Sequence, residues 1–259
     1  MTAEISTTQD GAILRLSFNR ADKKNAITAD MYAALADGLA RAAEDESVRV
    51  VLFEAAGDVF TAGNDIGDFM ARGVEPMNSD HPAPVMRFLQ AIATIEKPLV
   101  AAVQGPAVGV GVTMLLHCDL VYASAAATFH TPFVDLALVP EAASSLLMPQ
   151  IAGHQRAAEM LMLGEKIGAN RALEFGFVND VVAADALSRT ALGAAEALAE
   201  KAPDALRMTK KLMKGDLQPV LARMAQEGEH FEARLKSPEF REAGAAFLQK
   251  RKPDFSNLG

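Results

Sequence analysis

The run Leu99-Val-Ala-Ala-Val-Gln-Gly-Pro-Ala-Val-Gly-Val-Gly111 decides the fold class, because an unbroken apolar, strand-like stretch passes through a glycine turn into a helix-like one. The same event occurs upstream, where the apolar residues 48–55 lead into Phe60-Thr-Ala-Gly-Asn-Asp-Ile66. Strands apolar at most positions are expected to be buried on both faces, as in a parallel or spiral arrangement. Glycine lets the backbone approach a ligand closely, and the first turn of a helix leaves N–H groups unpaired. Two such turns offer two sets of free donors. A third piece, Phe129-His-Thr-Pro-Phe133 running on to Val139-Pro-Glu-Ala-Ala-Ser-Ser145, supplies one carboxylate, Glu141, in the otherwise uncharged residues 136–150. Donors and an isolated base together have the parts to stabilise an enolate.

Outward from this centre, residues 4–8 and 12–18 alternate apolar and polar side chains around Gln9-Asp-Gly11, the pattern of a hairpin. A polar, partly basic loop, Asn19-Arg-Ala-Asp-Lys-Lys-Asn25, follows it. Thr28 is placed to cap a helix over residues 29–44, with Met31, Leu35 and Leu39 on one face. Beyond the Phe60 turn a short helix is expected near residues 66–71. The glycine- and proline-bearing residues 72–84 then form a surface loop, either a flap over a pocket or an inert connection. A helix over 84–95, a break at Lys97-Pro98, a strand over 99–103, a helix over 110–117 and a strand over 119–123 complete repeated strand, turn and helix units. Such repetition marks an α/β domain with crossover connections. Past residue 157 the chain reads as mainly helical, with one strand-like piece at 177–182. The helices over 203–214, 217–235 and 238–250 have apolar faces in excess of what one chain needs, which points to a subunit contact.

The 259 residues suffice for one large core, and with half of them apolar the chain is globular. The net charge of -8, with no basic face, argues against nucleic acid or an anionic membrane as partner. The single cysteine, Cys118, excludes an internal disulfide and fits a reducing compartment. It lies in an apolar run without a basic neighbour, the setting of an inert thiol. The N-terminus has neither the basic start nor the apolar core of a signal peptide, and no apolar run reaches the length of a membrane span. A cytoplasmic protein is expected.

Other chemistries fit less well. The glycine spacing of residues 105–111 is neither the dinucleotide nor the phosphate-loop pattern. The histidines are scattered rather than set at metal-ligand spacing, and His117-Cys118-Asp119 is expected to serve packing and a hydrogen bond at a helix end. No Gly-x-Ser-x-Gly elbow exists, so Ser144 and Ser145 are expected to cap a helix starting near Leu146. Glu141 follows Pro140 amid small and apolar side chains, where desolvation would raise its pKa towards that of a general base. The alternative is an exposed glutamate at a helix start, favoured there by the helix dipole.

Taken together, Phe60-Thr-Ala-Gly-Asn-Asp-Ile66, Lys97-Pro-Leu-Val-Ala-Ala-Val-Gln-Gly105 and Ala107-Val-Gly-Val-Gly111 resemble the turns of the crotonase family, the enoyl-CoA hydratase/isomerase superfamily. The likeness runs from about Ile13 through Gly176-Phe-Val178 and returns at the tail, Phe247-Leu-Gln-Lys-Arg-Lys-Pro-Asp-Phe255. It implies an α/β, crotonase-like (ClpP/crotonase) spiral of ββα units over residues 1–200, followed by a helical trimerisation region over 201–259. It further implies an acyl-CoA thioester substrate and assembly as a homotrimer or dimer of trimers. The thioester oxygen would be held by the backbone N–H groups of Asn64 and Val110, and a valine at 110, where many relatives carry glycine, retains that donor.

Hydratases of the family activate water with two glutamates, and the matching positions here are Thr113 and Phe133. The Pro140-Glu-Ala-Ala-Ser-Ser145 segment instead looks like the Δ3,Δ2-enoyl-CoA isomerase branch, in which one glutamate shuttles the proton. By that resemblance Glu141 is the catalytic residue of an isomerase of fatty acid β-oxidation, and no metal or redox cofactor is expected, coenzyme A being part of the substrate. The CoA would lie along Ala62, Gly63, Asp65 and Ile66, beside Gly109, with Lys24 near its phosphates and Phe247 and Lys250 near its adenine. The acyl tail would run against Phe133 and Leu138. The alternatives are an enoyl-CoA hydratase or another acyl-CoA lyase of the family, and a non-catalytic CoA-thioester binding protein.

Overall fold

In this computed structural model the described residues are 3–65, 67–68, 83–249, 251–256 and 258, with the backbone alone at 247 and 248. The chain opens with the expected hairpin, β1 (Ile5–Asp10) against β2 (Ile13–Phe18), turned at Gly11 with φ of 55°. Helix α1 (Ala29–Glu44) is capped by Thr28, whose Oγ1 accepts from Met31 N at 3.3 Å, and its Met31, Leu35 and Leu39 are buried. Next come β3 (Val50–Ala55), α2 (Pro84–Thr94), β4 (Leu99–Val103), β5 (Ala107–Val108) and the short α3 (Val110–Thr113), which tightens into a 3-10 turn at Met114–His117. They are followed by β6 (Leu120–Ser124), β7 (Thr128–His130), α4 (Ser144–Ala152), α5 (His154–Leu161), β8 (Ile167–Gly168), α6 (Ala169–Phe175) and β9 (Asp180–Val182). Four helices end the chain: α7 (Leu187–Ala199), α8 (Pro203–Lys214), α9 (Gln218–Leu235) and α10 (Pro238–Leu248).

The strands make two sheets. The larger has six strands in the order β1-β2-β3-β4-β6-β9, antiparallel only at the β1–β2 hairpin. Its β4 is buried along its whole length, which explains why its sequence lacks polar alternation. One face packs against α1 and α2 through Leu14, Val51, Phe53, Leu35 and Phe88, and the other against Leu187, Ala191 and Ala195 of α7. The smaller sheet has the order β5-β7-β8 and is extended by single bridges pairing Thr61 with Ala107 and Ile27 with Asn64. The path therefore repeats: a strand of the large sheet leads to a short extended piece of the small one and then to a helix. Both glycine turns sit where the small-sheet piece ends, and this repetition sets them side by side.

The sequence boundaries shift slightly. The strand-like piece at 177–182 is paired only over Asp180–Val182, because Phe177 turns into the core and meets Phe129 edge-on at 5.4 Å. The short helix expected at 66–71 and the loop at 72–84 fall largely outside the described residues. The C-terminal helices reach back to the core. Lys210 of α8 donates to Asp119 Oδ2 at 2.7 Å beside the start of β6, and α9 buries Met224 and Glu227. Among the described residues no helix is long and apolar enough to cross a membrane.

Candidate functional site

The two donor turns are laced together by backbone. Phe60 N and Thr61 N donate to Pro106 O at 3.0 and 3.2 Å, and Val108 N donates back to Thr61 O at 3.0 Å. Gly63 is buried with φ of 85°, and a Cβ there would stand 2.9 Å from Val108 O, so the close approach needs glycine twice over. At Asn64 the flanking groups are occupied, Ile27 N donating to Gly63 O at 2.8 Å and Asp65 N to Ile27 O at 2.9 Å. Gly109, with φ of 56°, stands at the N-cap of α3 and makes Val110 the first helical residue. Among the described residues no acceptor takes the amide of Asn64 or that of Val110. The first is unpaired because a single bridge uses only its neighbours, the second because a helix start has no preceding turn.

Glu141 is buried, 9% exposed, and its Oε1 accepts from Thr113 Oγ1 at 2.5 Å. Val110 and Thr113 stand one turn apart on the same helix, about 4.5 Å along its axis, so the base is moored next to a donor amide. Burial lifts the Glu141 carboxyl from its ordinary 4.5 to about 7; the Thr113 bond opposes this and the Glu227 charge adds to it. Tyr32 of α1 closes the triangle. Its hydroxyl donates to Asn64 Oδ1 at 2.5 Å, and burial, with a further contribution from the Glu141 charge, raises its pKa well above 10.0. A neutral phenol thus ties the Asn64 turn to the neighbourhood of the base.

The turn after Glu141 is strained. Ala142 and Ala143 have φ of 60° and 56°, a left-handed conformation that costs a non-glycine residue about 1–2 kcal/mol. Side chains from elsewhere hold it. Glu227 Oε2 accepts from Ala143 N at 2.6 Å and Oε1 from Ser145 N at 2.9 Å. Bonds to a charged acceptor contribute about 1.5–3 kcal/mol each, enough to offset the strain. His117 Nε2 lies 2.8 Å from Ala142 O, which can only accept, so that nitrogen carries the proton. Burial pushes the His117 pKa down to about 4, keeping the ring neutral. The serines do not cap α4 as expected. Its N-cap is Ala143, which has no capping side chain; Ser144 Oγ donates instead to Glu141 O at 2.6 Å, and Ser145 Oγ accepts from Arg223 at 3.1 Å. Glu227 does the capping from a distant helix.

The remaining expected residues divide. Lys24 is exposed and adjoins the first donor turn, its carbonyl accepting from Ala62 N at 3.0 Å. Asp65 is committed to Arg20, whose Nη1 donates to its Oδ2 at 2.7 Å, which holds its carboxyl below the usual range. Phe133 is buried and joined to Leu138, whose N donates to Phe133 O at 2.7 Å, so the two flank one turn. Phe247 lies in α10, while Ile66 and Lys250 are outside the described residues. Cys118 is inert, its thiol pushed up to about 12 by burial. Tyr32, His117 as a tether of the base turn, and Glu227 were not marked by sequence. Tyr32 reads as an ordinary apolar-face residue and Glu227 as one of several charges on a helix. Surface cavities of about 330 and 470 Å³ share Lys97 and Arg207 and contain none of these residues. Among the described residues no group of three or more His, Cys, Asp or Glu side chains could hold a metal ion.

Comparison with known proteins places this geometry. The sequence profile of the family described as enoyl-CoA hydratase/isomerase matches residues 8–257. The rat protein named enoyl-CoA delta isomerase 2 is 37% identical over 250 residues, covering 95% of this chain and 64% of its own length. Mouse enoyl-CoA delta isomerase 3, peroxisomal, is 34% identical, covering 96% of this chain and 79% of its own length. The crystal structure of an enoyl-CoA hydratase/isomerase from Pseudoalteromonas atlantica T6c superposes with a TM-score of 0.92 at 44% identity, covering 98% of this chain and 100% of that one. With the profile matched almost from end to end and the spiral reproduced at that likeness, the chain belongs to the enoyl-CoA hydratase/isomerase, or crotonase, family.

Proposed function

We propose that this chain is an enoyl-CoA isomerase of fatty acid β-oxidation that moves the double bond of a 3-enoyl-CoA thioester to C2, with Glu141 as the single proton shuttle. The observation that carries this is a buried carboxyl with a pKa of about 7, moored by Thr113 one turn from the unpaired Val110 amide. The thioester oxygen accepts from the Asn64 and Val110 N–H groups. Glu141 takes a proton from C2, and the freed electron pair makes C1=C2 while the carbonyl becomes an enolate oxygen. On return of the proton to C4 the C3=C4 π pair forms the new C4–H bond, the C1=C2 pair moves to C2=C3, and the enolate oxygen restores the carbonyl. Nothing is consumed, so coenzyme A enters only as part of the substrate. Each oxyanion donor stabilises the transition state by about 3–4 kcal/mol. A base with a pKa near working pH can both take and return the proton.

Thr113 and Phe133 favour isomerisation over hydration, because neither supplies the carboxylates with which family hydratases activate water. The likeness to the rat and mouse delta isomerases supports the same reaction, although the chain spans only 64% of the rat protein. The CoA runs along Ala62, Gly63, Asp65 and Ile66 past Gly109, with Lys24 at its phosphates, Phe247 and Lys250 at its adenine, and the acyl chain against Phe133 and Leu138. Residues 201–259 form the subunit contact of a homotrimer or dimer of trimers in the cytoplasm. The exposed Met208, Leu212 and Met213 of α8 support that contact.

The test follows conversion of a 3-enoyl-CoA to the conjugated 2-enoyl isomer by wild type and Glu141→Ala, with 2-enoyl-CoA hydration measured in parallel. Isomerisation is expected to rise with pH through about 7 in the wild type and to fall about a thousandfold in the variant. Hydration that survives the substitution would replace this assignment with a hydratase. Tight thioester binding without either reaction would leave a binding protein.

A further inference from the structure

We propose that Glu227 is a positioning residue for the base: its carboxylate spans the Ala143 and Ser145 amides, locks the left-handed turn, and so fixes Glu141 opposite the two donor amides. The proposal rests on the isomerase assignment and deepens it. Glu227 is 5% exposed and sits on α9, far along the chain from the turn it grips. Both its oxygens are engaged, at 2.6 and 2.9 Å, by the amides of Ala143 and Ser145 at a helix start, while the Ser144 amide between them donates to Glu141 O at 3.0 Å. Arg223, one turn earlier on the same helix, binds Ser145 Oγ at 3.1 Å, so α9 holds the turn at two points. The two left-handed alanines bring Glu141 and Glu227 close, since the residue gripped through its amide is separated from the base only by Ala142.

Few charged groups face this assembly. Glu141 is met by Thr113 from α3, by Tyr32 from α1 and by the Glu227 charge from α9; neutral His117 bonds Ala142 O, and Arg223 partly balances Glu227. The Glu227 charge is one of the causes of the raised Glu141 pKa. A plain helix cap would affect folding alone. A positioning residue would also change turnover and the pH at which the base ionises.

Glu227→Gln keeps the shape, removes the charge and leaves one amide facing a donor rather than an acceptor. The expected result is a fall in kcat of about tenfold to a hundredfold with KM changed little, and a rising limb of the kcat profile displaced to lower pH, because a neighbouring negative charge is gone. Glu227→Asp should return the limb towards its wild-type position. Should Glu227→Gln fold poorly, Glu227→Gln with Ala143→Gly relieves the left-handed strain; Tm should recover while kcat and the limb do not. Wild-type kcat and an unmoved limb in a folded Glu227→Gln protein, or their recovery along with Tm in the double variant, would reduce Glu227 to a structural cap. Titration of Glu141 by carboxyl-labelled NMR, assigned through Glu141→Gln, reads the same displacement without substrate. A wild type inactive on 3-enoyl-CoA would count against the isomerase assignment, while an unmoved Glu141 titration in Glu227→Gln would count against the clamp.

Discussion

The donor turns around Gly63 and Gly109 are made by backbone, whereas the base turn around Glu141 is held by side chains from three other elements. In the first region the main chain sets most constraints, a positive φ, a missing Cβ that admits Val108 O and a helix start, with the Tyr32 hydroxyl on Asn64 added to them. In the second, Thr113 of α3, His117 of the following 3-10 turn and Glu227 of α9 converge on four residues with no glycine among them. The difference follows from what each half must do. An oxyanion donor has to be rigid and neutral, which backbone provides without a titrating group. A proton shuttle must be tuned, and its pKa is set by burial, a hydrogen bond and a neighbouring charge, which only side chains and packing can supply.

If the donor region is fixed by backbone, the largest effect should come from a single added carbon. Gly63→Ala places a Cβ 2.9 Å from Val108 O at a φ of 85°. The left-handed alanine and the forced displacement of a laced strand together should destabilise the fold by about 3–4 kcal/mol. Chemical denaturation would measure that loss, and turnover should fall with it because the Asn64 amide moves. Wild-type stability and rate in Gly63→Ala would show that the turn can open at little cost, and the contrast between the regions would be gone.

That contrast also explains what could be read in advance. The Thr28 cap, the buried strand at Leu99–Val103, both donor turns and the isolation of Glu141 are visible in sequence because each depends on near neighbours or on simple periodicity. The small sheet was not visible, since two-residue strands such as Ala107–Val108 carry no periodic signal. For the cap of α4 the sequence points to Ser144 and Ser145, the residue type that usually provides it. The acceptor is Glu227, and nothing in Glu-Gly-Glu-His230 distinguishes it from solvated neighbours. Thr113 was legible as a missing carboxylate but not as the partner of Glu141, because that pairing exists only once the spiral has formed.

If the base region is tuned at the expense of the fold, removing the titrating group should stabilise the protein, with a definite pH dependence. Glu141 has its pKa raised from 4.5 to about 7, so between those values the folded chain holds a proton that the unfolded chain has released. Stability then falls as pH rises through this window, and the full penalty, at most about 3 kcal/mol, is present above it. Glu141→Gln removes the titration and leaves Thr113 an acceptor. It should be more stable than wild type by about 2–3 kcal/mol at pH 8, with the advantage vanishing near pH 4.5. Urea denaturation at both pH values compares variant with wild type, so the titration of His117, on which the Glu141 charge does not act, cancels. An equal difference at both would mean that Glu141 is not desolvated in the free protein.

The smallest expected effect isolates the link between the Val110 donor and the base. Thr113 belongs to the helix that presents the Val110 amide, yet its hydroxyl holds the base at 2.5 Å. Thr113→Val keeps the helix and removes the donor, so the carboxylate loses the bond that lowers its pKa, and the pKa moves above 7. At pH 7 a smaller fraction of Glu141 is then ionised, and isomerisation should slow about tenfold, equivalent to about 1.4 kcal/mol. Above the displaced pKa both proteins are fully ionised, so the gap should narrow to whatever orientation contributes. A gap that stays constant across pH would assign Thr113 to orientation alone. No gap at any pH would mean that the Glu227 clamp suffices to place the base without the Thr113 hydroxyl.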